Sequence, residues 1–186
     1  MLTEHQSAPV GGKILVLGAS GMLGHTLLRY LIHRGMPCVG TVRSAQAYAS
    51  LPLELQAQTV IAGDLTDAAV IARLLDAHRP DVVINCVGIV KQSAEAADPL
   101  VALPINALLP HLLARACAAS GARLVHVSTD CVFTGTRGHY TEGDEPDARD
   151  LYGLSKALGE VDAPHALTLR TSIIGPELVV SPHGLL

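Results

Sequence analysis

Residues 13–24 read Lys-Ile-Leu-Val-Leu-Gly-Ala-Ser-Gly-Met-Leu-Gly, and the rest of the chain is arranged about them. Ile14 to Leu17 is a short apolar run rich in branched residues, the pattern of a strand buried on both faces. Glycines follow at 18, 21 and 24. Behind them Leu23, Leu27, Leu28 and Leu31 recur at helical spacing. Strand, glycine turn and helix together make a dinucleotide site. Gly18 permits the tight turn, Gly21 lets a pyrophosphate approach the backbone, and Gly24 lets the helix lie close to the strand. The helix N-terminus then offers free N–H groups and a positive dipole end to the phosphates, so Ser20, Met22 and Leu23 are read as cofactor-binding with the glycines. The spacing is G-x-x-G-x-x-G rather than G-x-G-x-x-G, and three glycines alone say little. Their place between strand and helix carries the reading. A glycine-rich turn that binds nothing would leave Gly21 unexplained.

Length and composition bound the rest. The 186 residues suit one domain, or one and a fragment. A chain of this size buries roughly 70% of its unfolded surface and needs no covalent staples. Hydrophobic residues make up 49%, with one Phe and no Trp, which fits helices packed on a parallel sheet. A net charge of −4, a pI near 6.1 and the lack of any basic run argue against a nucleic-acid partner. The four cysteines form no C-x-x-C pair and read as reduced thiols of a cytoplasmic protein. Lys13 and the apolar run after it resemble a signal peptide, but the glycines and the strand–helix pattern make that the weaker reading. The longest uncharged stretch, Pro99 to Ala114, is interrupted by Pro104, Pro110, Asn106 and His111 and is read as too short and too broken to span a membrane. The histidines show no metal-ligand spacing, so no metal residues are assigned.

Taken in order, residues 1–12 read as a flexible N-terminal tail and 13–186 as one nucleotide-binding domain. A second strand, Cys38 to Val42, ends at Arg43-Ser44, with Ser44 capping a short helix through Leu51. Thr59 to Ala62 is a third strand. Thr66 caps a helix that presents Val70, Leu74 and Leu75 and stops at Arg79-Pro80. Asp81 to Val87 is the fourth strand. Pro104 and Pro110 predict a short turn from 99 and a main helix from about Ile105 to Ala119, ended by Gly121. Leu124 to Ser128 is the fifth strand, 134–149 a polar loop, and Asp150 starts a helix carrying Tyr152 and Lys156. Leu167 to Thr171 is the sixth strand. Strands alternating with helices dictate an α/β fold: a doubly wound, Rossmann-type parallel sheet of about six strands with helices on both faces.

Tyr152 and Lys156 are four residues apart on a helix and share a face. A phenol has a pKa near 10 and is a poor acid or base at neutral pH, but a nearby ammonium favours the phenolate and pulls that value down. Such a Tyr can give a proton to a carbonyl oxygen as hydride reaches the carbon. A surface Tyr and Lys one turn apart are also common, so this pair needs company. Ser128-Thr129-Asp130 supplies it: the three sit at the C-terminal end of a strand, where open α/β sheets place their ligand crevice. The cofactor is read as NADP(H) rather than NAD(H). An acidic residue at the end of the second strand would take the ribose hydroxyls and repel a 2′-phosphate, and this chain has Thr41-Val42-Arg43-Ser44 instead. Arg43 can clamp a phosphate with its planar fork, and Ser44 can add a hydroxyl.

This set resembles the extended short-chain dehydrogenase/reductases, and within them the dTDP-4-dehydrorhamnose reductase-like group of sugar-nucleotide reductases. Besides Gly18 to Gly24, the resemblance rests on Ser128-Thr-Asp-Cys-Val-Phe-Thr-Gly135, Tyr140-Thr-Glu-Gly-Asp-Glu-Pro146, Tyr152-Gly-Leu-Ser-Lys-Ala-Leu-Gly-Glu160 and Leu169-Arg-Thr-Ser-Ile-Ile-Gly175. It implies a catalytic triad of Thr129, Tyr152 and Lys156, with Thr129 rather than Ser128 as the working hydroxyl. Lys156 would lower the Tyr152 pKa and hold the nicotinamide ribose. It also implies that Asp64 and Leu65 lie near the adenine, that Cys86, Val87 and Gly88 line the cofactor cleft, and that Asn106 orders the surroundings of the lysine.

The activity implied is NADP(H)-dependent reduction of a nucleotide-linked 4-keto-deoxysugar in cell-surface polysaccharide assembly. An epimerase or dehydratase of the same branch, which keeps its NAD, is an alternative, and Asp130 fits the acidic position a dehydratase shows. A non-catalytic, NADP-binding regulatory subunit is a third. The resemblance allows Mg²⁺ without making its ligands readable. A nucleotide-sugar substrate and a homodimer are the expected partners. Members of this branch run well beyond this length, so the C-terminal substrate lobe is expected to be largely missing. Weak turnover and self-association through apolar surface around Leu169 to Leu178 are expected with it. Cys131 stands where rhamnose-type reductases carry Tyr, which leaves the sugar open.

Overall fold

The computed structural model describes residues 12–176 and 178, so residues 1–11 of the tail expected over 1–12 lie outside the described residues. The first strand, β1 (Ile14–Leu17), is buried along its whole length. Its side chains alternate between two cores, as strand geometry requires. Leu15 and Leu17 join one cluster with Val83, Leu124, Ile71, Leu74, Leu109, Leu113 and Cys117. Ile14 and Val16 join another with Leu28, Leu31, Val42, Leu51 and Leu55. A strand that feeds two cores must be apolar at every position, which is why residues 14–17 do not alternate.

From β1 the chain runs through α1 (Met22–His33), β2 (Cys38–Val42), α2 (Ala45–Ala49), α3 (Leu53–Gln56), β3 (Thr59–Ile61), α4 (Ala68–His78) and β4 (Val82–Asn85). Then come α5 (Pro99–Ala102), α6 (Leu109–Ser120), β5 (Arg123–Ser128), α7 (Leu151–Leu158) and β6 (Ala166–Arg170). All strand pairs are parallel, in the order β3-β2-β1-β4-β5-β6. The order reverses between β1 and β4, and doubly wound sheets bind ligands at that switch point, beyond the strand C-termini. The expected α/β fold is the fold found.

Three local expectations change. Asp67, not Thr66, caps α4: its carboxylate accepts from Ala69 N at 2.8 Å, while Thr66 is held by Asp64. The fourth strand stops at Asn85, so Cys86, Val87 and Gly88 belong to the loop beyond it. Pro104 and Pro110 do not break the helix. A π-helical stretch, Leu103–Leu108, joins α5 to α6. Wider i→i+5 turns take up the missing proline N–H and the ring that would strike the preceding turn. The result, Pro99–Ser120, is the one helical run among the described residues long and apolar enough to cross a membrane. Its Leu109, Leu113 and Cys117 face the sheet core.

Candidate functional site

The glycine turn is built by backbone. Gly18 has φ +83°, a conformation that side chains resist. Gly24 sits so close to the Gly18 carbonyl that a Cβ there would overlap it. Gly21 is the N-cap of α1 and has no side-chain bond across the helix start. Free N–H groups therefore face the cleft.

The cleft runs in two connected parts. Ser20, Gly21, Cys86, Val87 and Gly88 line both. On one side the wall continues with Gly18, Thr41, Val42, Arg43, Asp64 and Leu65, and with Ile105 and Leu109 of the long helix. On the other, a cavity of about 690 Å³ is bounded by Met22, Leu23, Gly88 to Val90, Gln92, Val127, Ser128, Tyr152 and Lys156. A continuous groove with a backbone phosphate cradle at its middle fits a dinucleotide. Arg43 lies at the far end, with its charge acting on the Asp64 carboxylate. Ser44 is not among the lining residues: its Oγ accepts from Ala47 N at 3.2 Å and caps α2. The helix cap expected at Ser44 is thus formed.

The reactive end is built by side chains. Asp150 caps α7 by accepting from Gly153 N at 2.9 Å, and α7 carries Tyr152 and Lys156 into the cleft. Lys156 is 5% exposed and donates to the Val127 carbonyl at 2.8 Å. Burial pushes its pKa down to about 8, and Glu160 works in the opposite direction. The Tyr152 phenol is pushed up, chiefly by burial. A hydrogen bond with Thr129 opposes this, Cys131 and Asp130 add to it, and Lys91 opposes it. The spacing predicts a phenol pulled down by Lys156. With the ammonium turned to Val127, that effect does not arise.

The two hydroxyls after β5 have different partners. Ser128 Oγ donates to Glu160 Oε1 at 2.9 Å, and Arg170 grips both oxygens of the same carboxylate. Thr129 caps the turn Asp130–Val132 by accepting from Cys131 N, and donates to Asp130 at 3.2 Å. Asp130 also accepts from Ser172 Oγ, and these bonds hold its carboxyl below the usual carboxylate range, Ser172 foremost.

Asn106 lies in the π-helical stretch and is 1% exposed. Its Oδ1 accepts from Ile89 N at 2.8 Å, and its Nδ2 donates to the Ile89 carbonyl and to Ser155 Oγ. It therefore fixes the cleft wall to α7. Gly88 lies between the Asn106 and Lys156 side chains.

Several residues that matter here carry no motif. Asn85 is fully buried, accepts from Val87 N at 3.1 Å and meets His126 Nδ1 at 3.1 Å. It holds the loop that forms the cleft wall. Val87 N occupies its oxygen, so its amide donates to Nδ1 and the His126 proton sits on Nε2, which has no partner. Burial, then the charges of Lys156 and His111, push the His126 pKa down to about 3. A polar residue inside each of two apolar strands was the available signal. The expected polar loop carries a stack of side chains. Arg170 lies over Phe133, Phe133 stacks on Tyr140 at 4.2 Å, and Arg137 covers Tyr140.

Residues 12–175 match the RmlD substrate binding domain family. The chain is 37% identical over 164 residues to a Haloferax volcanii protein named probable low-salt glycan biosynthesis reductase Agl14, covering 86% of this chain and 52% of that one. It superposes on the structure of a hypothetical dTDP-4-dehydrorhamnose reductase from Sulfolobus tokodaii with a TM-score of 0.72 and 32% identity, covering 85% of this chain and 55% of that one. A dTDP-4-dehydrorhamnose reductase from Bacillus anthracis, solved in complex with NADP, gives 0.65 and 26%, with 82% and 49% covered. The chain thus spans about half the length of the proteins it matches.

Proposed function

The chain belongs to the RmlD substrate binding domain family, and from that premise we propose that its cleft serves NADP(H)-dependent reduction of a nucleotide-linked 4-keto-deoxysugar in polysaccharide assembly. One observation carries the reading: Tyr152 and Lys156 share a cavity with the glycine turn. When bound, NADPH would supply the hydride. Tyr152 keeps its phenolic proton at neutral pH and would give it to the oxygen of the reduced carbonyl. Thr129, in contact with that phenol, would orient it. Lys156 uses one of its three donors on Val127 and has two left for ribose hydroxyls. Arg43 would take the 2′-phosphate at the far end.

The dehydratase alternative asks Asp130 to act as an acid. Its two oxygens are occupied and its pKa is lowered, so it has no proton to give near neutral pH. A cytoplasmic location and a homodimer belong to the same proposal. Leu100 and Leu108 on the long helix and Leu154 and Leu158 on α7 are exposed, and the two helical segments pack together. A second copy would cover them.

The test is NADPH oxidation with a dTDP-4-keto-6-deoxysugar. Weak turnover is expected, and Tyr152→Phe is expected to lower it by about 10²–10⁴-fold with NADPH affinity unchanged. Turnover retained by Tyr152→Phe would remove the acid assignment. NADPH binding without turnover in wild type would return the non-catalytic reading, and sugar conversion without net NADPH oxidation the epimerase or dehydratase one.

A further inference from the structure

One carboxylate behind the reactive end joins three segments. α7 ends at Leu158, and Glu160 follows Gly159 with its N–H still on the Ala157 carbonyl at 3.2 Å. Its Oε1 accepts from Ser128 Oγ, at the end of β5, at 2.9 Å. Arg170, at the end of β6, donates to both of its oxygens at 2.9 and 2.8 Å. Ser128 and Arg170 are register partners on the two strands, so the carboxylate closes a bridge across their ends. The ion pair is largely buried, with 15% of the Glu160 side chain and 22% of the Arg170 side chain exposed. Arg170 is held in turn: Phe133 lies against its guanidinium at 5.0 Å, and the Glu142 and Asp144 carbonyls accept from its Nη1. Desolvation offsets much of the attraction in such a pair, and the directional bonds remain.

Those bonds bear on the lysine four residues earlier. Val127, Ser128 and Thr129 are consecutive, and each is held from the α7 side. Lys156 Nζ donates to the Val127 carbonyl at 2.8 Å, Glu160 takes the Ser128 hydroxyl, and Thr129 meets the Tyr152 phenol. Val127, Ser128, Tyr152 and Lys156 line the same cavity. The Ser128 hydroxyl is thus engaged by a carboxylate instead of being offered to a substrate. We propose that Glu160, held by Arg170, is a positioning residue for Lys156: through Ser128 it locks the end of β5 against α7 and keeps the Val127 carbonyl within reach of the Lys156 ammonium. In turnover the lock would leave the two remaining ammonium donors facing the cofactor ribose. That use rests on the proposed reduction, whereas the lock itself does not.

The experiment is a pH titration of ¹³Cε-labelled lysine by NMR, which needs no turnover. The chain has three lysines, and the Lys156 signal is the one kept in both Lys13→Arg and Lys91→Arg. Burial holds the Lys156 pKa at about 8 against an ordinary 10.5, so its value reports how firmly the ammonium is kept from water. Glu160 is the charge that acts on it, while His126 on β5 and Tyr152 on its own helix are uncharged around that pH. Ser128→Ala removes the link and leaves every charge in place. It is expected to raise the Lys156 pKa by about one pH unit as water reaches the ammonium. Glu160→Asp keeps the charge but is one methylene too short to hold Arg170 and Ser128 together, and is expected to do the same. Ser128→Thr keeps the hydroxyl and is expected to titrate as wild type. A wild-type Lys156 value in Ser128→Ala or in Glu160→Asp would overturn the proposal, even if the variant melts earlier, because the bond would then serve stability alone. So would Ser128→Thr behaving like Ser128→Ala, since the hydroxyl would then not be the cause. Failure of the proposed reduction shows up separately, as NADPH binding without turnover in wild type.

Discussion

The two ends of the cleft are built by different means. At the glycine turn the backbone does the work, and every residue involved lies within about a dozen positions of the next. At the reactive end, side chains from five separate segments converge. Asn106 reaches Ser155, Ser128 reaches Glu160, and Lys91 reaches Asp150, over separations of 49, 32 and 59 residues. The first end depends on conformations few residues can adopt. The second depends on the sheet placing distant segments side by side.

The largest expected effect tests whether the two ends nevertheless share one device. Gly24 abuts the Gly18 carbonyl, and Gly159, at the end of α7, abuts the Asn106 carbonyl just as closely. Backbone cannot retreat as a side chain can, so Gly24→Ala and Gly159→Ala are each expected to cost more than about 3 kcal/mol. Urea unfolding measures this through the midpoint. A wild-type midpoint in either variant would break the parallel at that end.

The next effect belongs to the reactive end alone. His126 has an ordinary value of 6.5 that burial lowers to about 3. Between those values the unfolded chain binds a proton that the folded one does not. Stability is therefore full above about pH 6.5 and falls as the pH drops. One such group contributes a slope of at most about 1.4 kcal/mol per pH unit. His126→Gln removes the titration and is expected to flatten the acid side of the stability profile. An unaltered slope would show that the acid sensitivity arises elsewhere.

The smallest effect separates two neighbours at the adenosine side. Ser44→Ala removes the α2 cap and is expected to lower stability by about 1 kcal/mol, with NADPH affinity unchanged. Arg43→Ala is expected to do the reverse, weakening NADPH binding with little change in thermal unfolding. Calorimetric titration and melting curves on the two proteins decide it. Weaker NADPH binding by Ser44→Ala would restore the hydroxyl to the phosphate site.

What could be read from the sequence follows this division. The G-x-x-G-x-x-G turn was legible because the requirements for φ > 0 at Gly18 and close approach at Gly24 act between near neighbours. The Tyr152–Lys156 pair was legible because four residues make one helical turn. The cap at Ser44 was legible because a hydroxyl at a strand end, just before a helical stretch, meets the helix N–H groups within three residues. The prolines misled because a proline forbids one hydrogen bond, not the wider turn that dispenses with it.

By itself the sequence determined the order of strands and helices, the parallel sheet and the strand ends at which the cleft opens. Periodicity, glycine sterics and right-handed crossovers leave few other arrangements. Tertiary structure alone decided that Lys156 turns to Val127, that Ser128 serves Glu160 while Thr129 meets Tyr152, and that Asn85 and His126 hold the cleft wall from behind. Each of these is a choice among partners of similar chemistry. Such a choice depends on ångström-scale distances between segments that only the packed sheet brings together.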